Sequence, residues 1–485
     1  MNILVFDIGT TSMRGILYDQ TGKELLQVSR LTPLIFKDEY IEQNPLFLKE
    51  QLFSIAKEIA EKEQVDAITL TAFRSAPALF DEHGKPLSNF IMWQDTRNKE
   101  ICNGLLQYNS KSYEKTGSKV NAVFAASKIT WLKHNLKQAY DKAYKAMVVP
   151  AYLIYLMTGI WSCDVTYGSR TGLMNIKTLE YDPEMLKMYD LDEEKLAELS
   201  QVGSIAGKTT DYFSQETGIR SGIPVISTGG DQQNSALGLG EVDSSALVIN
   251  CGTGGYIIAL NDKPYLENEA IVCNVSAIPD KFVLEEGVLA SASGLNWLIK
   301  ELFPELWNEG DPDFEAFHKI IETSPLGSNG VICVPLFQGC GSRDWNPEAK
   351  ASFSGITLRN TRADIGRSLF EGIAAEITKS VASLPGGLDK EVIYIGGGLT
   401  KSSFFDQILC DMLNTTLLCY KDSQATAIGS FISAAVALGV YDTYEDAFRS
   451  ARANDQVTRY EPNPEAHAEY LKLIERSEEV YKKLN

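Results

Sequence analysis

Histidine is scarce in this chain: His83, His134, His318 and His467 are the only four among 485 residues, and they are far apart. Zinc hydrolysis and Ser-His-Asp hydrolysis therefore have little to draw on. The eight cysteines (Cys102, Cys163, Cys251, Cys273, Cys333, Cys340, Cys410 and Cys419) include no CxxC pair and no close histidine. They read as reduced, mostly buried thiols of a cytoplasmic protein rather than a disulfide frame or a metal knuckle. No apolar run approaches the roughly 20 residues that span a bilayer. The opening residues, Met1 to Asp7, lack a basic leader and read as a strand start rather than a signal peptide. Basic charge is short as well. Forty-five Lys and Arg against 64 Asp and Glu leave a net charge of -19, which disfavours nonspecific binding to nucleic acid or anionic lipid, so an anionic ligand needs a local site.

Two familiar nucleotide loops are also missing. Residues 202–209 read Val-Gly-Ser-Ile-Ala-Gly-Lys-Thr, close to a Walker A loop, but Val202 stands where the loop's first glycine belongs and the preceding Ala197 to Ser200 reads as helical. No Gly-x-Gly-x-x-Gly follows a strand, so a Rossmann dehydrogenase is disfavoured.

What is present is an ordinary globular composition, 44% apolar and 22% charged, on a chain long enough for two domains. An apolar strand from Ile3 to Ile8 meets the small turn Gly9-Thr10-Thr11-Ser12, and a second apolar run follows. The same grammar returns near mid-chain, where Ala246 to Asn250 leads to Cys251-Gly252-Thr253-Gly254-Gly255 and then to Tyr256 to Leu260. The chain reads as duplicated, with strand-like and helix-like segments alternating, and the expectation is two α/β domains. Later, Thr361 is spaced to cap a helix with Asp364, after which Ile365, Leu369, Ile373, Ile377 and Val381 recur every four residues. Val392 to Ile395 then runs into Gly396-Gly397-Gly398, with a helix-like stretch from Ser402 to Leu413.

Turns of this kind offer backbone N–H groups and hydroxyls to phosphate oxygens, and glycine lets a ligand approach closely. Either turn alone is only a good hairpin turn; two in duplicated halves point to a nucleotide between them. Asp7 is placed to hold magnesium through water. In Ser227-Thr228-Gly229-Gly230-Asp231-Gln232-Gln233 a strand delivers an acid to a loose turn, which suits a general base in phosphoryl transfer, or equally a helix cap. Trp93-Gln94-Asp95-Thr96-Arg97 offers an aromatic face and hydrogen-bonding groups for a sugar, or else an Asp95–Arg97 ion pair beside a core tryptophan. Arg74 can join either arrangement.

These blocks, with Asp164-Val165-Thr166, Ser169-Arg170-Thr171-Gly172 and Ser402-Ser403-Phe404, resemble in order and spacing the FGGY family of carbohydrate kinases. The match runs almost the whole chain. The resemblance implies the duplicated α/β fold of actin and hexokinase (ribonuclease H-like ATPase domains), with an N-terminal domain over 1–242, a C-terminal domain over 243–485 and a cleft between them near 238–245. It implies ATP and Mg2+, with Asp231 as catalytic base and Asp7 and Asp231 at the metal. Thr10, Thr11, Arg14, Gly252 and Thr253 would line the phosphates, and Gly396, Gly397 and Ser402 would face the adenosine. Arg74, Trp93, Asp95, Asp231 and Gln232 would contact the substrate. It implies a small carbohydrate as the partner, with no nucleic acid or membrane, and allows a homodimer. Where the family carries a glutamate before Ala-x-Ala-x-Gly, this chain has Gln424.

Several blocks are similar to glycerol kinases, but those have Arg-Glu where this chain has Arg74-Ser75, and an aromatic hydroxyl near its Ala122-Val123-Phe124. Losing both would leave glycerol hydroxyls unpaired at roughly 1 to 3 kcal/mol each. The expected substrate is therefore another sugar, sugar acid or polyol, with a ketopentose such as xylulose first and glycerol or gluconate as alternatives. The rival of another class is an actin-like or Hsp70-like conformational ATPase.

Overall fold

The computed structural model describes residues 1–308, 311–341, 344, 346, 348–420 and 424–484. Its frame is two mixed sheets of matching plan. In the first half, β1 (Ile3–Ile8), β2 (Ser12–Tyr18), β3 (Glu24–Leu31), β4 (Ala67–Ala72), β5 (Ser204–Lys208) and β6 (Pro224–Ser227) lie in the order β5-β6-β4-β1-β2-β3. In the second half, β7 (Ala246–Cys251), β8 (Gly255–Asn261), β9 (Val272–Val275), β10 (Phe282–Val288), β11 (Val392–Gly396), β12 (Leu417–Tyr420) and β13 (Val457–Tyr460) lie in the order β9-β10-β8-β7-β11-β12-β13.

The duplication expected from the two hairpin turns extends to strand direction. β1 pairs antiparallel with β2 and parallel with β4; β7 pairs antiparallel with β8 and parallel with β11. Every residue of β1 is buried, so both of its faces are covered. That is why its side chains form a continuous apolar run up to Asp7 rather than alternating.

Five helices matter for the site. They are α1 (Pro45–Ala60), α2 (Asp231–Leu239), α3 (Arg362–Ser383), α4 (Ser403–Leu413) and α5 (Ala425–Ala437). In α3 the Asp364 carboxylate takes the Thr361 N–H at 2.8 Å, and Leu369, Ile373, Ile377 and Val381 are fully buried, as their spacing predicted. Ile365 is only partly buried against the same core.

The halves are joined by a shared core as well as by the chain. Ile3, Val5, Ile16 and Tyr18 of the first sheet form one apolar cluster with Ile428, Phe431, Ile432 and Ala435 of α5. At the crossing of α2 and α5, a Cβ on Gly238 would lie 1.9 Å from the Ala425 carbonyl oxygen, and one on Gly429 would lie 1.8 Å from that of Asn234. The two backbones touch at these glycines.

Gln424, ahead of α5, also bridges the halves. Its amide accepts from the Tyr18 hydroxyl at 2.9 Å and donates to Glu24 at 2.9 Å and Gln27 at 3.1 Å. A glutamate there would set a second carboxylate against Glu24, and the amide removes that conflict.

Two expectations are refined. The segment before the near-Walker stretch is not helical, since Glu198–Ser200 pairs as a short parallel strand with Ser162–Asp164. The near-Walker residues themselves form the edge strand β5. All eight cysteines are free thiols and buried. Among the described residues, no helix is long and apolar enough to cross a membrane.

Candidate active site

Of the residues singled out in sequence, Asp7, Arg74, Asp231, Thr253 and Gly397 lie at or just beyond the ends of β1, β4, β6, β7 and β11. In the first turn, the Gly9 N–H donates to the Ser12 carbonyl at 2.9 Å and closes the β1–β2 hairpin. Arg14, one strand over, pairs with the Asp7 carboxylate through both Nε and Nη2. The Trp93 indole N–H reaches the Thr10 hydroxyl at 3.3 Å, which ties the Trp93–Arg97 block to this turn. Thr11 is exposed on the turn.

The second turn, between β7 and β8, leaves Thr253 exposed, and the Thr253 carbonyl accepts the N–H groups of Ser291 and Ser293. The third follows β11. Gly397 is exposed with φ +101, and a Cβ there would come within 2.6 Å of the Cys251 carbonyl group, so the third turn packs directly on the second. Ser402 is largely buried and caps α4, its hydroxyl accepting the Phe405 N–H at 3.1 Å. That oxygen is already spent on the helix.

Asp231 opens α2, and the strand-to-helix turn before it is held from both sides. The Thr166 hydroxyl accepts the Gly230 N–H at 3.0 Å. The Gly229 carbonyl takes the Tyr167 hydroxyl at 2.9 Å and the Asn234 amide at 2.8 Å. Asp164 caps the short helix carrying Thr166 and accepts the Ser227 hydroxyl. The Asp164-Val165-Thr166 block is thus a brace for Asp231. Burial pushes the Asp231 carboxyl above the usual carboxylate range against the pull of Arg74, and the nearby Asp7 charge adds to the rise. At 3.4 Å, Arg74 Nε forms an ion pair with Asp231.

Gln232, next in the chain, is half-buried, and its side-chain carbonyl has no hydrogen-bond partner. Asp95 is differently placed. It is 1% exposed; one oxygen takes the backbone N–H and Nε of Arg97 at 2.9 Å, and the other takes Arg97 Nη2 and the Ile41 N–H at 2.7 Å. Of its two sequence readings, the structure shows the ion pair. A carboxylate so engaged has little capacity left for a substrate hydroxyl.

Sequence reasoning missed the groups that complete the Arg74 environment. Glu285 on β10 lies 3.2 Å from Arg74 Nη1 and 3.9 Å from Arg170 Nη1, and accepts the Asn274 amide at 3.2 Å. Despite burial, which acts to raise it, the two guanidiniums hold the Glu285 carboxyl below its ordinary range. Burial first, then the Arg74 charge, brings Arg170 down to about 10. Arg170 stacks at 4.7 Å over the Phe124 ring. The loop carrying Phe124 is held by the Lys128 ammonium through the Ala122 and Val123 carbonyls, and burial lowers the pKa of that ammonium to about 7. The sequence signal for Glu285 was two consecutive acids inside the apolar strand Phe282 to Val288. Acids buried there require partners.

The Asp7 charge is near enough to Asp231 to raise the Asp231 carboxyl. No group of three or more His, Cys, Asp or Glu suited to a metal occurs among the described residues. One or two carboxylates fit Mg2+ of the kind carried in with a nucleotide, because that ion keeps most of its waters and takes phosphate oxygens.

The model of the FGGY family of carbohydrate kinases, N-terminal domain, matches residues 2–238, and that of the C-terminal domain matches residues 247–438. A glycerol kinase of Limosilactobacillus reuteri is 27% identical over 475 residues, covering 94% of this chain and 93% of the relative. Among solved structures, a ligand-bound xylulose kinase from Lactobacillus acidophilus superposes with a TM-score of 0.90 at 25% identity over 100% of both chains. A gluconate kinase from the same organism gives 0.90 at 25% identity, over 100% of this chain and 99% of that one.

Proposed function

We propose that this chain, which belongs to the FGGY family of carbohydrate kinases and is an ATP-dependent sugar or polyol kinase, phosphorylates a hydroxyl of a ketopentose such as xylulose, with Asp231 as general base. The observation that carries the reading is the Asp231–Arg74 pair at the start of α2. A carboxylate that burial pushes above its usual range takes up a proton more readily than an ordinary aspartate.

In this reading Asp231 orients the attacking hydroxyl and takes its proton as the new O–P bond forms and the β–γ bridging bond breaks, releasing ADP. Arg74 fixes the carboxylate and a neighbouring substrate oxygen, with Trp93 and Gln232 along the sugar and Asp95 holding Arg97 behind them. The turns at Thr10, Thr11 and Arg14 and at Gly252 and Thr253 hold the phosphates. Gly396 and Gly397 border the adenosine, with Ser402 capping the helix below. Asp7 and Asp231 would hold Mg2+, which when bound would supply charge neutralisation for the transferring phosphoryl group. Closure of the 1–242 unit on the 243–485 unit would exclude water, the competing acceptor.

The divergence from glycerol kinases at Ser75 and Phe124 weighs against glycerol, which puts a larger carbohydrate first. The test is a coupled ADP-release assay with Mg-ATP against xylulose, ribulose, erythritol, gluconate and glycerol. Xylulose or ribulose is expected to give the highest kcat/KM. Turnover that ignores added sugar would replace this reading with a conformational ATPase.

A further inference from the structure

The carboxylate missing after Arg74 has a counterpart from the other half of the chain. Arg74 spans two acids, with Nε facing Asp231 at 3.4 Å and Nη1 facing Glu285 at 3.2 Å. Glu285 comes from β10 in the second sheet, whereas Arg74 and Asp231 come from the first half. Around Glu285 two buried polar atoms have no hydrogen-bond partner: the Nε of Arg170, a residue 9% exposed, and the Oδ1 of Asn274, a fully buried one. The Tyr256 phenol lies within electrostatic reach of the same groups.

We infer that Glu285, with Arg170 and Asn274, forms a second substrate subsite that reads hydroxyls beyond the one being phosphorylated, and selects neutral substrates of four or more carbons. This rests on the reading of Asp231 as the base. One guanidinium holds the base's carboxylate at one end and Glu285 at the other, so a chain lying along it meets Asp231 first and Glu285 further on. A substrate hydroxyl both donates and accepts. One hydroxyl can accept from the orphan guanidinium N–H while donating to the carboxylate, and a second can donate to the orphan amide oxygen. Glycerol has only two hydroxyls left once the third is at Asp231, fewer than these groups and Gln232 can engage.

Charge decides between neutral and acidic substrates. Two guanidiniums suggest a sugar acid at first sight, but Asp231 and Glu285 already balance Arg74 and Arg170. A substrate carboxylate would add a third anion beside two fixed ones, in a buried place where such repulsion is poorly screened.

The test uses calorimetric titration of the intact wild-type protein with glycerol, erythritol, xylulose, ribulose and gluconate. At least one of erythritol, xylulose and ribulose is expected to bind tenfold or more tightly than both glycerol and gluconate. Equal affinity for glycerol, tighter gluconate binding, or no binding by any of the five would overturn the inference. In Glu285→Gln, an isosteric change, the ratio of kcat/KM for the preferred sugar to that for glycerol should fall at least tenfold, chiefly through KM. A preserved ratio, or equal losses for both, would show a purely structural acid. A wild-type protein that binds a sugar but transfers no phosphoryl group would refute the kinase reading, and the titration would still decide the subsite.

Discussion

Replacing Gly429 by alanine tests whether the contact between α2 and α5 positions the chemistry. Helix propensity alone predicts that Gly→Ala in a helix interior stabilises by about 1 kcal/mol. The geometry predicts the opposite sign. The new Cβ would lie 1.8 Å from the Asn234 carbonyl oxygen, a backbone atom that no rotamer change can move aside. A carbon needs about 3.3 Å from such an oxygen, so the helices must part by roughly 1.5 Å. Overpacking of this kind costs about 1 to 3 kcal/mol. Asp231 begins the helix that carries Asn234, and a displacement of about 1 Å at a reacting group can reduce turnover about 100-fold. The expected result is a lower thermal midpoint together with a kcat reduced about 10- to 100-fold. Gly104→Ala is the control, since a Cβ there meets nothing nearer than 3.5 Å. An unchanged midpoint in Gly429→Ala would refute the steric argument. A lower midpoint with unchanged kcat would refute the link from the crossing to the base.

Two further outcomes follow from the site. Thr253→Val removes a hydroxyl from the second turn and is expected to raise KM for ATP about tenfold with little change in KM for the sugar; equal ATP affinity would remove Thr253 from the phosphate site. The base must be ionised to work, and the Asp231 carboxyl is raised by burial. Activity should therefore be lost, as pH falls, at a higher pH than an ordinary aspartate near 3.9 would give. Because Arg74 pulls that carboxyl down, Arg74→Met should move the acid limb of kcat/KM to still higher pH, and a limb that stays in place or moves lower would contradict the pairing.

The elements legible in sequence were those whose signal is local. The two hairpin turns, the capping spacing of Thr361 and Asp364, and the glycine turn ahead of Ser402 all depend on residues within a few positions of one another, and all are present as expected. The helical reading of Ala197 to Ser200 was wrong because that segment is fixed by pairing to Ser162–Asp164, about 36 positions earlier. At the site, Arg74 and Asp231 were visible as charged residues at the ends of apolar strands. Glu285 was not assigned, because its role exists only where the second sheet meets the first, 211 positions from Arg74. For the same reason the alternatives for Asp95 could not be separated until Arg97 and the Ile41 N–H were seen on its two oxygens.

The proposed role of Asp231 as base for phosphoryl transfer to a carbohydrate hydroxyl is checked by kcat of Asp231→Asn at saturating sugar and Mg-ATP, with nucleotide affinity measured on the same preparation. A fall of about 10² to 10⁴ with ATP still bound is predicted; a kcat near that of the unaltered protein would contradict it.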